Sequence, residues 1–322
     1  MKALQVNQTD HHICEIIDLA QPIPESGEVL VKISYSSLNY KDALALTEKG
    51  GVIRSYPTTP GIDLAGTVVK SCAPEFKAGD LVFATGYELG VSRNGGYSEY
   101  QVVPAKWLFS LPEKLSLKEV MGFGTAGLTA ALCIAELTRK VTPEQPVLVT
   151  GATGGVGSLA VALLRALGYE KISIISRKEK ASALLEPVCE IYTPENFLSE
   201  SKPLNRQLFA GVVDTVGGEL LAKILPHVSY GGVVTACGNA GGIKLTTTVL
   251  PFILRGVTLA GIDSVNATTV QRKTAWDLLA QHKDSLSQLP LQEISLEEVP
   301  TVAQSLLSGT HSGRTIVKVE GE

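Results

Sequence analysis

The 322-residue chain has only five cysteines, Cys14, Cys72, Cys133, Cys189 and Cys237, with no C-x-x-C pair among them. That spacing excludes the commonest structural zinc sites and a disulfide framework, and it suits reduced thiols in a cytoplasmic protein. The five histidines (His11, His12, His227, His282, His311) form no H-x-x-x-H or H-x-x-E-H pattern, so no metal site is expected. His11-His12 has the character of a surface turn. No apolar run approaches the ~18 residues that span a bilayer; "SLAVALLRALG" is interrupted by Arg165. Residues 1 to 10, MKALQVNQTD, lack a charged start followed by an apolar block, so no signal peptide is expected. Basic residues are not in excess: 28 Lys and Arg against 32 Asp and Glu give a net charge of −4, which argues against a nucleic-acid surface. A G-x-x-x-x-G-K-[ST] sequence is also missing, which excludes a P-loop.

What the chain does contain is a change of texture. The first ~110 residues are punctuated by glycine and alternate apolar with polar residues, as in "EVLVKISYSS", "GTVVKS", "GDLVFATG" and "GGYSEYQVVP". Period two predicts short strands. From Leu117, "LKEVMGFGTAGLTAALCIAELT" has helical periodicity. Strands and helices then alternate: "PVLVTG", "GVGSLAVALLRALG", "KISIIS", a helix at "KASALLE", then "EIYT", "AGVVDTVG", "ELLAKILPHV" and "GGVVTACG". That rhythm predicts an α/β fold with a doubly wound parallel sheet covered on both faces. "GVTLAGIDS" is a candidate outer strand, residues 271 to 308 regain helical character, and "GRTIVKVE" closes the chain as a strand.

"VLVTGATGGVGSLAVALL" places an apolar strand, a glycine turn and an amphipathic helix in succession. Glycines 151, 154 and 157 form G-x-x-G-x-x-G, a variant of the dinucleotide fingerprint. Without Cβ atoms the turn can approach a pyrophosphate, and the helix presents its N–H groups and positive dipole end to it. Thr153, Gly154, Gly155, Val156 and Gly157 are therefore candidate cofactor contacts. An NAD site places an acid at the end of the second strand, about 20 residues beyond the glycines. Here that place holds Ser176-Arg177-Lys178. A hydroxyl and a guanidinium would hold a 2′-phosphate that a carboxylate would repel. Ser176 and Arg177 thus favour NADPH, although a solvated helix start would use the same basic pair.

Thr150-Gly151 with Gly155 and Gly157 also satisfies the short-chain dehydrogenase fingerprint T-G-x-x-x-G-x-G. Those enzymes need Y-x-x-x-K, and none of the nine tyrosines has a lysine four residues on. A β-rich start, a central Rossmann region and a C-terminal return instead resemble the medium-chain dehydrogenase/reductase superfamily over essentially the whole chain. Within it, "SSLNYKDALALT", "PGIDLAGTV", "GTAGLTA", "VTGATGGVGS" and "LPFILRGVTLAGIDSV" resemble the YhdH/YhfP-type group. That group comprises quinone oxidoreductases and the NADPH-dependent acryloyl-CoA reductases.

The resemblance implies a GroES-like catalytic domain at 1–116, a Rossmann NADPH-binding domain at 117–255 and a return to the catalytic domain at 256–322. It also implies a homodimer, through an outer strand near 245 to 262. Zinc-dependent relatives keep a Cys near the place of Asn39 and a G-H-E after the Pro-Gly turn; this chain has Gly61-Ile62-Asp63 and no such Cys. The expected chemistry is therefore zinc-independent hydride transfer from NADPH to a C=C conjugated to a carbonyl. The resulting enolate needs hydrogen-bond donors and a proton at its α-carbon. An acryloyl-CoA-like enoyl thioester is the favoured substrate. The alternatives are a quinone, or an NADPH-binding module without turnover.

By resemblance Tyr40 contacts the cofactor, and its phenol is a candidate acid or enolate donor; a half-buried aromatic bonded to backbone is the plainer reading. Asn39 either orients Tyr40 or the substrate carbonyl, or caps a helix starting at Lys41. Asp42 then supports the helix dipole, and Asp63 is structural. Thr125 resembles a threonine near the nicotinamide, against a helix hydroxyl bonding back to its own chain. Asn239 follows the fifth strand, at the edge where ligands sit. Phe252 and Ile253 flank the nicotinamide or fill core. Arg314 points toward the cofactor or substrate, or is an exposed strand-end arginine.

Overall fold

The computed structural model describes residues 1–8, 12–177, 188–199 and 202–319. Two compact units divide the chain: Met1–Thr125 with Leu291–Glu322, and Ala126–Pro290. These boundaries differ from 116/117 and 255/256, because the strand after residue 256 joins the parallel sheet. The helix expected at "KASALLE", together with Lys178 and His11, lies outside the described residues.

In the first unit, β1 (Lys2–Gln8) and β2 (His12–Asp18) form an antiparallel hairpin. β3 (Glu28–Leu38), α1 (Tyr40–Ala45), β4 (Asp63–Ser71), β5 (Leu81–Thr85), β6 (Tyr100–Pro104) and β7 (Phe109–Ser110) follow. Then comes α2 (Leu117–Leu137), which leaves this unit at Thr125. In β3 Val29, Val31 and Ile33 are fully buried, packing with Leu64, Val68 and Val82. Leu30 and Ser36 to Leu38 are buried as well, so strict period two is interrupted by cover on the second face.

The second unit carries β8 (Val147–Thr150), α3 (Gly155–Ala166), β9 (Ile172–Ile175), β10 (Glu190–Tyr192), β11 (Phe209–Asp214), β12 (Val228–Ala236) and β13 (Thr258–Gly261). They form one parallel sheet in the order β10-β9-β8-β11-β12-β13. Counted from β8 this is 3-2-1-4-5-6, the dinucleotide-binding order, with its reversal between β8 and β11. Strands β8, β9 and β11 are buried at every residue, as a sheet covered on both faces requires.

The chain returns to the first unit with β14 (Leu291–Ile294) and β15 (Arg314–Lys318). The sheet there runs β14-β15-β3-β4-β5-β7, with β6 also on β3. β14 corrects the expectation of helix from 271 to 308. Its four residues are exposed except the last, so it has no apolar alternation to betray it.

The 21-residue α2 is also a correction. It is long and apolar enough to cross a membrane, although its flanking charges broke the run in the sequence. Its apolar window is 83 % buried inside the protein, as a core helix would be.

Candidate functional site

Register brings three strand ends of the first unit together. β15 lies against β3 with Thr315 opposite Leu38, and β4 starts at Asp63 beside the same end of β3. Arg314, Asn39 and Asp63 therefore converge. Asp63 is fully buried, and donors surround its carboxylate. Oδ2 accepts from the Ser37 hydroxyl, from Asn39 Nδ2 at 2.8 Å and from Thr125 N–H at 2.9 Å. Oδ1 accepts from the Thr125 hydroxyl at 2.5 Å.

The backbone of α2 reaches this carboxylate because the helix breaks at Gly124, whose φ is +50°. That left-handed conformation suits glycine, and a Cβ there would lie 2.6 Å from Asp63 Oδ2. The break also frees the carbonyl of Gly122, which accepts from Arg314 Nε at 2.9 Å. Arg314 Nη1 donates to Asn39 Oδ1 at 3.2 Å, while Nη2 is buried with no hydrogen-bond partner among the described residues. Burial lowers the guanidinium pKa from its ordinary value, and the charges of Asp63 and Asp42 oppose that shift.

Asn39 is the N-cap of α1, which starts at Tyr40. Asp42 sits at the third helical position. Its Oδ2 accepts from Asn39 N–H at 2.9 Å, and its Oδ1 from Ile62 N–H at 2.8 Å. This carboxylate supports the helix start as expected, but it is also fully buried. Burial, and next the charge of Asp63, push its pKa up to about 7. Tyr97 closes the cluster, donating to Ser37 O at 3.1 Å, and burial drives its phenol well above the ordinary range. Tyr40, one residue beyond this network, is 38 % exposed.

In the second unit the glycine turn after β8 leads into α3, with Gly154 as N-cap. The opening N–H groups of a helix have no intrahelical partner, so those of Gly155, Val156 and Gly157 stand ready for an anion. The packing there leaves no room for a side chain: a Cβ on Gly157 would lie 2.3 Å from Gly151 O. A pyrophosphate fits this cradle. Thr153 is buried beside it.

Asp214, at the end of β11, ties the neighbouring turns together. Thr150 Oγ1 donates to its Oδ1 at 2.7 Å, and Gly217 N–H to its Oδ2 at 2.8 Å. Burial raises its pKa. The turn after β12 is held in turn by Cys237 N–H on Asp214 O at 2.9 Å and by Gly241 N–H on Val216 O at 2.8 Å. Asn239 is exposed on that turn.

Of the candidates from sequence, the structure gathers Asn39, Thr125 and Arg314 into the first unit's buried cluster, with Tyr40 at its margin. It gathers Thr153 to Gly157 at the α3 start. Arg314 is buried and is no exposed strand-end arginine; Thr125 bonds to Asp63 through its hydroxyl. Ser176 is buried at the end of β9, and Arg177 is exposed beside it. Phe252 packs on the second unit's core, whereas Ile253 is 67 % exposed. Sequence reasoning missed Ser37, Tyr97, Thr150 and Asp214. Only Asp214 left a signal, as a lone acid closing an apolar strand.

The sequence pattern of the Alcohol dehydrogenase GroES-like domain matches residues 25–113, and that of the Zinc-binding dehydrogenase matches residues 155–281. The acrylyl-CoA reductase AcuI of Ruegeria pomeroyi is 43 % identical over 91 % of this chain and 90 % of its own. The structure of the YhdH oxidoreductase of Salmonella enterica in complex with NADP is similar at a TM-score of 0.94. It is 43 % identical, covering 99 % of this chain and 100 % of that one. Bacillus subtilis YhfP with NAD bound is similar at a TM-score of 0.91, 42 % identical over 99 % of both chains.

The zinc in the second family's description does not fit the donors found here. Among the described residues no three His, Cys, Asp or Glu side chains lie together as ligands. Where Asp42 and Asp63 meet, the Asn39 amide and the Arg314 guanidinium stand instead. With matches at this identity over nine-tenths or more of its length, the chain belongs to the YhdH/YhfP-type group of the medium-chain dehydrogenase/reductase superfamily.

Proposed function

We propose that the protein transfers hydride from NADPH to an activated C=C bond, with an acryloyl-CoA-like enoyl thioester as its substrate. One observation carries the reading. A 3-2-1-4-5-6 sheet with a glycine turn after its first strand that admits no Cβ at Gly151 or Gly157 occurs in a chain 43 % identical to an acrylyl-CoA reductase. Bound NADPH would supply the hydride. Thr153, Gly154, Gly155, Val156 and Gly157 would hold its pyrophosphate, and Ser176 with Arg177 its 2′-phosphate. Thr125, Asn239, Phe252, Ile253, Tyr40 and Arg314 are the proposed contacts of the nicotinamide end.

Tyr40 is the proposed donor to the enolate oxygen or the α-carbon, and its exposure supports that role. The amide of Asn39 is engaged on both sides, by Asp63 and by Arg314. That supports a role in holding Tyr40 at the helix start rather than in meeting substrate.

The test is direct: mix the protein with NADPH and acryloyl-CoA and follow the nicotinamide absorbance. Oxidation by the thioester supports the reading. Oxidation by quinones alone would replace the substrate, and tight NADPH binding with neither acceptor consumed would make the protein a binding module. Tyr40→Phe should lower turnover and leave NADPH affinity intact; an unchanged rate would make Tyr40 a cofactor wall.

A homodimer is part of the proposal. β13 is the edge of its sheet, and Ile243, Leu245, Val249, Ile253 and Leu254 in the segment that precedes it in the chain are exposed apolar side chains. Light scattering that gives a monomer mass would remove it. A cytoplasmic location is supported by five free cysteines; recovery outside the cytoplasmic fraction would overturn that.

A further inference from the structure

The loop of residues 262–268 leaves the carboxyl end of β13, on the same edge as the turns after β8, β11 and β12. Its first residue is tied to β12, Ile262 N–H donating to Ala236 O at 2.9 Å. Beyond that point Asp263 folds the loop on itself, its Oδ1 accepting from Val265 N–H at 2.9 Å and Asn266 N–H at 3.2 Å. The brace beneath is Arg272, on the helix Thr269–Gln281. Its side chain is fully buried, the largest to be so among the described residues. Nε donates to Ala267 O at 3.1 Å, and Nη2 to Ser264 O and Val265 O, both at 2.9 Å. A second tether comes from α2, where the buried Thr129 donates through Oγ1 to Ser264 Oγ at 2.9 Å.

A guanidinium stripped of water is a costly way to fill a core, and a methionine would occupy the space without that cost. A rigid, planar fork of donors can, however, hold several carbonyls of one loop in one arrangement. We infer that Arg272 is a positioning residue for the nicotinamide half of the cofactor site, fixing the 262–268 loop as a wall of that half. The inference rests on the NADPH reading above. With the adenosine ribose at the end of β9 and the pyrophosphate at the start of α3, the other half of a dinucleotide runs over β11, β12 and β13. This loop stands at the far end of that path.

The experiment separates the two halves of the cofactor. Affinities for NADPH and for 2′,5′-ADP, which carries only the adenosine half, are measured by calorimetry. Turnover and the isotope effect with NADPH deuterated at the transferred C4 position are measured beside them. The proteins are the wild type, Arg272→Met, Arg272→Lys and Thr129→Val.

In Arg272→Met, 2′,5′-ADP affinity should stay within about twofold of wild type, while NADPH affinity falls about tenfold. Turnover should fall by roughly 10²-fold, because a wall displaced by an ångström misaligns the hydride. The isotope effect should rise as hydride transfer slows. Arg272→Lys should recover little, since an ammonium has no fork, and Thr129→Val should show the same pattern more weakly. Arg272→Met with unchanged NADPH affinity and turnover would overturn the inference. So would a loss of 2′,5′-ADP binding in step with NADPH, which marks support of the whole fold. Should Arg272→Met not fold, unchanged turnover in both Arg272→Lys and Thr129→Val would overturn it equally. A wild type that binds neither NADPH nor 2′,5′-ADP would overturn the dinucleotide reading itself, a different result from any of these.

Discussion

The two units hold their candidate residues by opposite means. In the first, side chains hold side chains: Asp63 gathers Ser37, Asn39 and Thr125, and Arg314 spans Asn39 and a helix carbonyl. In the second, the cradle at α3 is itself built of backbone and depends on a missing Cβ, while the Asp214 and Arg272 side chains brace the turns beside it. A charged network fails when a partner is removed or a charge changes. A backbone cradle fails when an atom is added. The first unit should therefore be sensitive to truncation and to pH, and the second to small insertions of volume.

The largest effect should come from Asp63→Ala. It removes the acceptor of the Ser37 and Thr125 hydroxyls, the Thr125 N–H and one bond of the Asn39 amide, and it takes away the carboxylate charge that favours the buried Arg314 guanidinium. Losing the partner of a buried charge costs about 3–5 kcal/mol. Urea unfolding measures this. Adding Arg314→Met should recover part of the loss, as coupled sites do. Strict additivity would separate Arg314 from the network.

Next in size is the pH dependence carried by Asp42. Its folded pKa is about 7 and its ordinary value 3.8. The folded state thus holds the proton over a range where the unfolded chain has released it. Stability from this group is greatest below pH ~4 and is lost as pH rises to ~7, by on the order of 4 kcal/mol in all. Asp42→Asn should flatten that slope in urea titrations between those limits, whatever its absolute stability. An unaltered slope would assign the dependence to another group.

How far these features were legible in the sequence follows the same division. Period two exposed the strands of the first unit, and alternation with helices exposed the parallel sheet, because burial patterns are local. The glycine turn was legible for the same reason: strand, turn and helix are contiguous. The buried cluster was not. Asn39, Asp63, Thr125 and Arg314 lie far apart in the chain, and they meet only through the register of β3, β4 and β15. The break at Gly124 was hidden too, since apolar periodicity runs through it without interruption. Asp42 looked like ordinary dipole support because nothing in "NYKDAL" says that Ile62 covers it.

The contrast sharpens with Gly157→Ala in the second unit. In an open helix this change stabilises by about 1 kcal/mol. Here the added Cβ would meet Gly151 O at 2.3 Å and Ala152 Cα at 2.8 Å. Both are backbone atoms and cannot swing aside, so overpacking should cost about 1–3 kcal/mol. NADPH affinity should fall by roughly 10²-fold, equivalent to about 2.7 kcal/mol. Calorimetry across pH 5 to 8 should show a loss that does not vary with pH.

The smallest effect should come from Arg177, which is exposed at the end of β9 beside the buried Ser176. Solvent screens an exposed charge, so its contact with a 2′-phosphate is worth about 1 kcal/mol. Reversing the sign with Arg177→Glu replaces attraction by repulsion, and NADPH affinity should fall about tenfold. NADH lacks the phosphate and should bind Arg177→Glu as well as wild type. The ratio of the two affinities is the readout, because general damage to the turn would weaken both cofactors together. Equal losses for NADPH and NADH would show that the end of β9 holds the ribose without reading the phosphate.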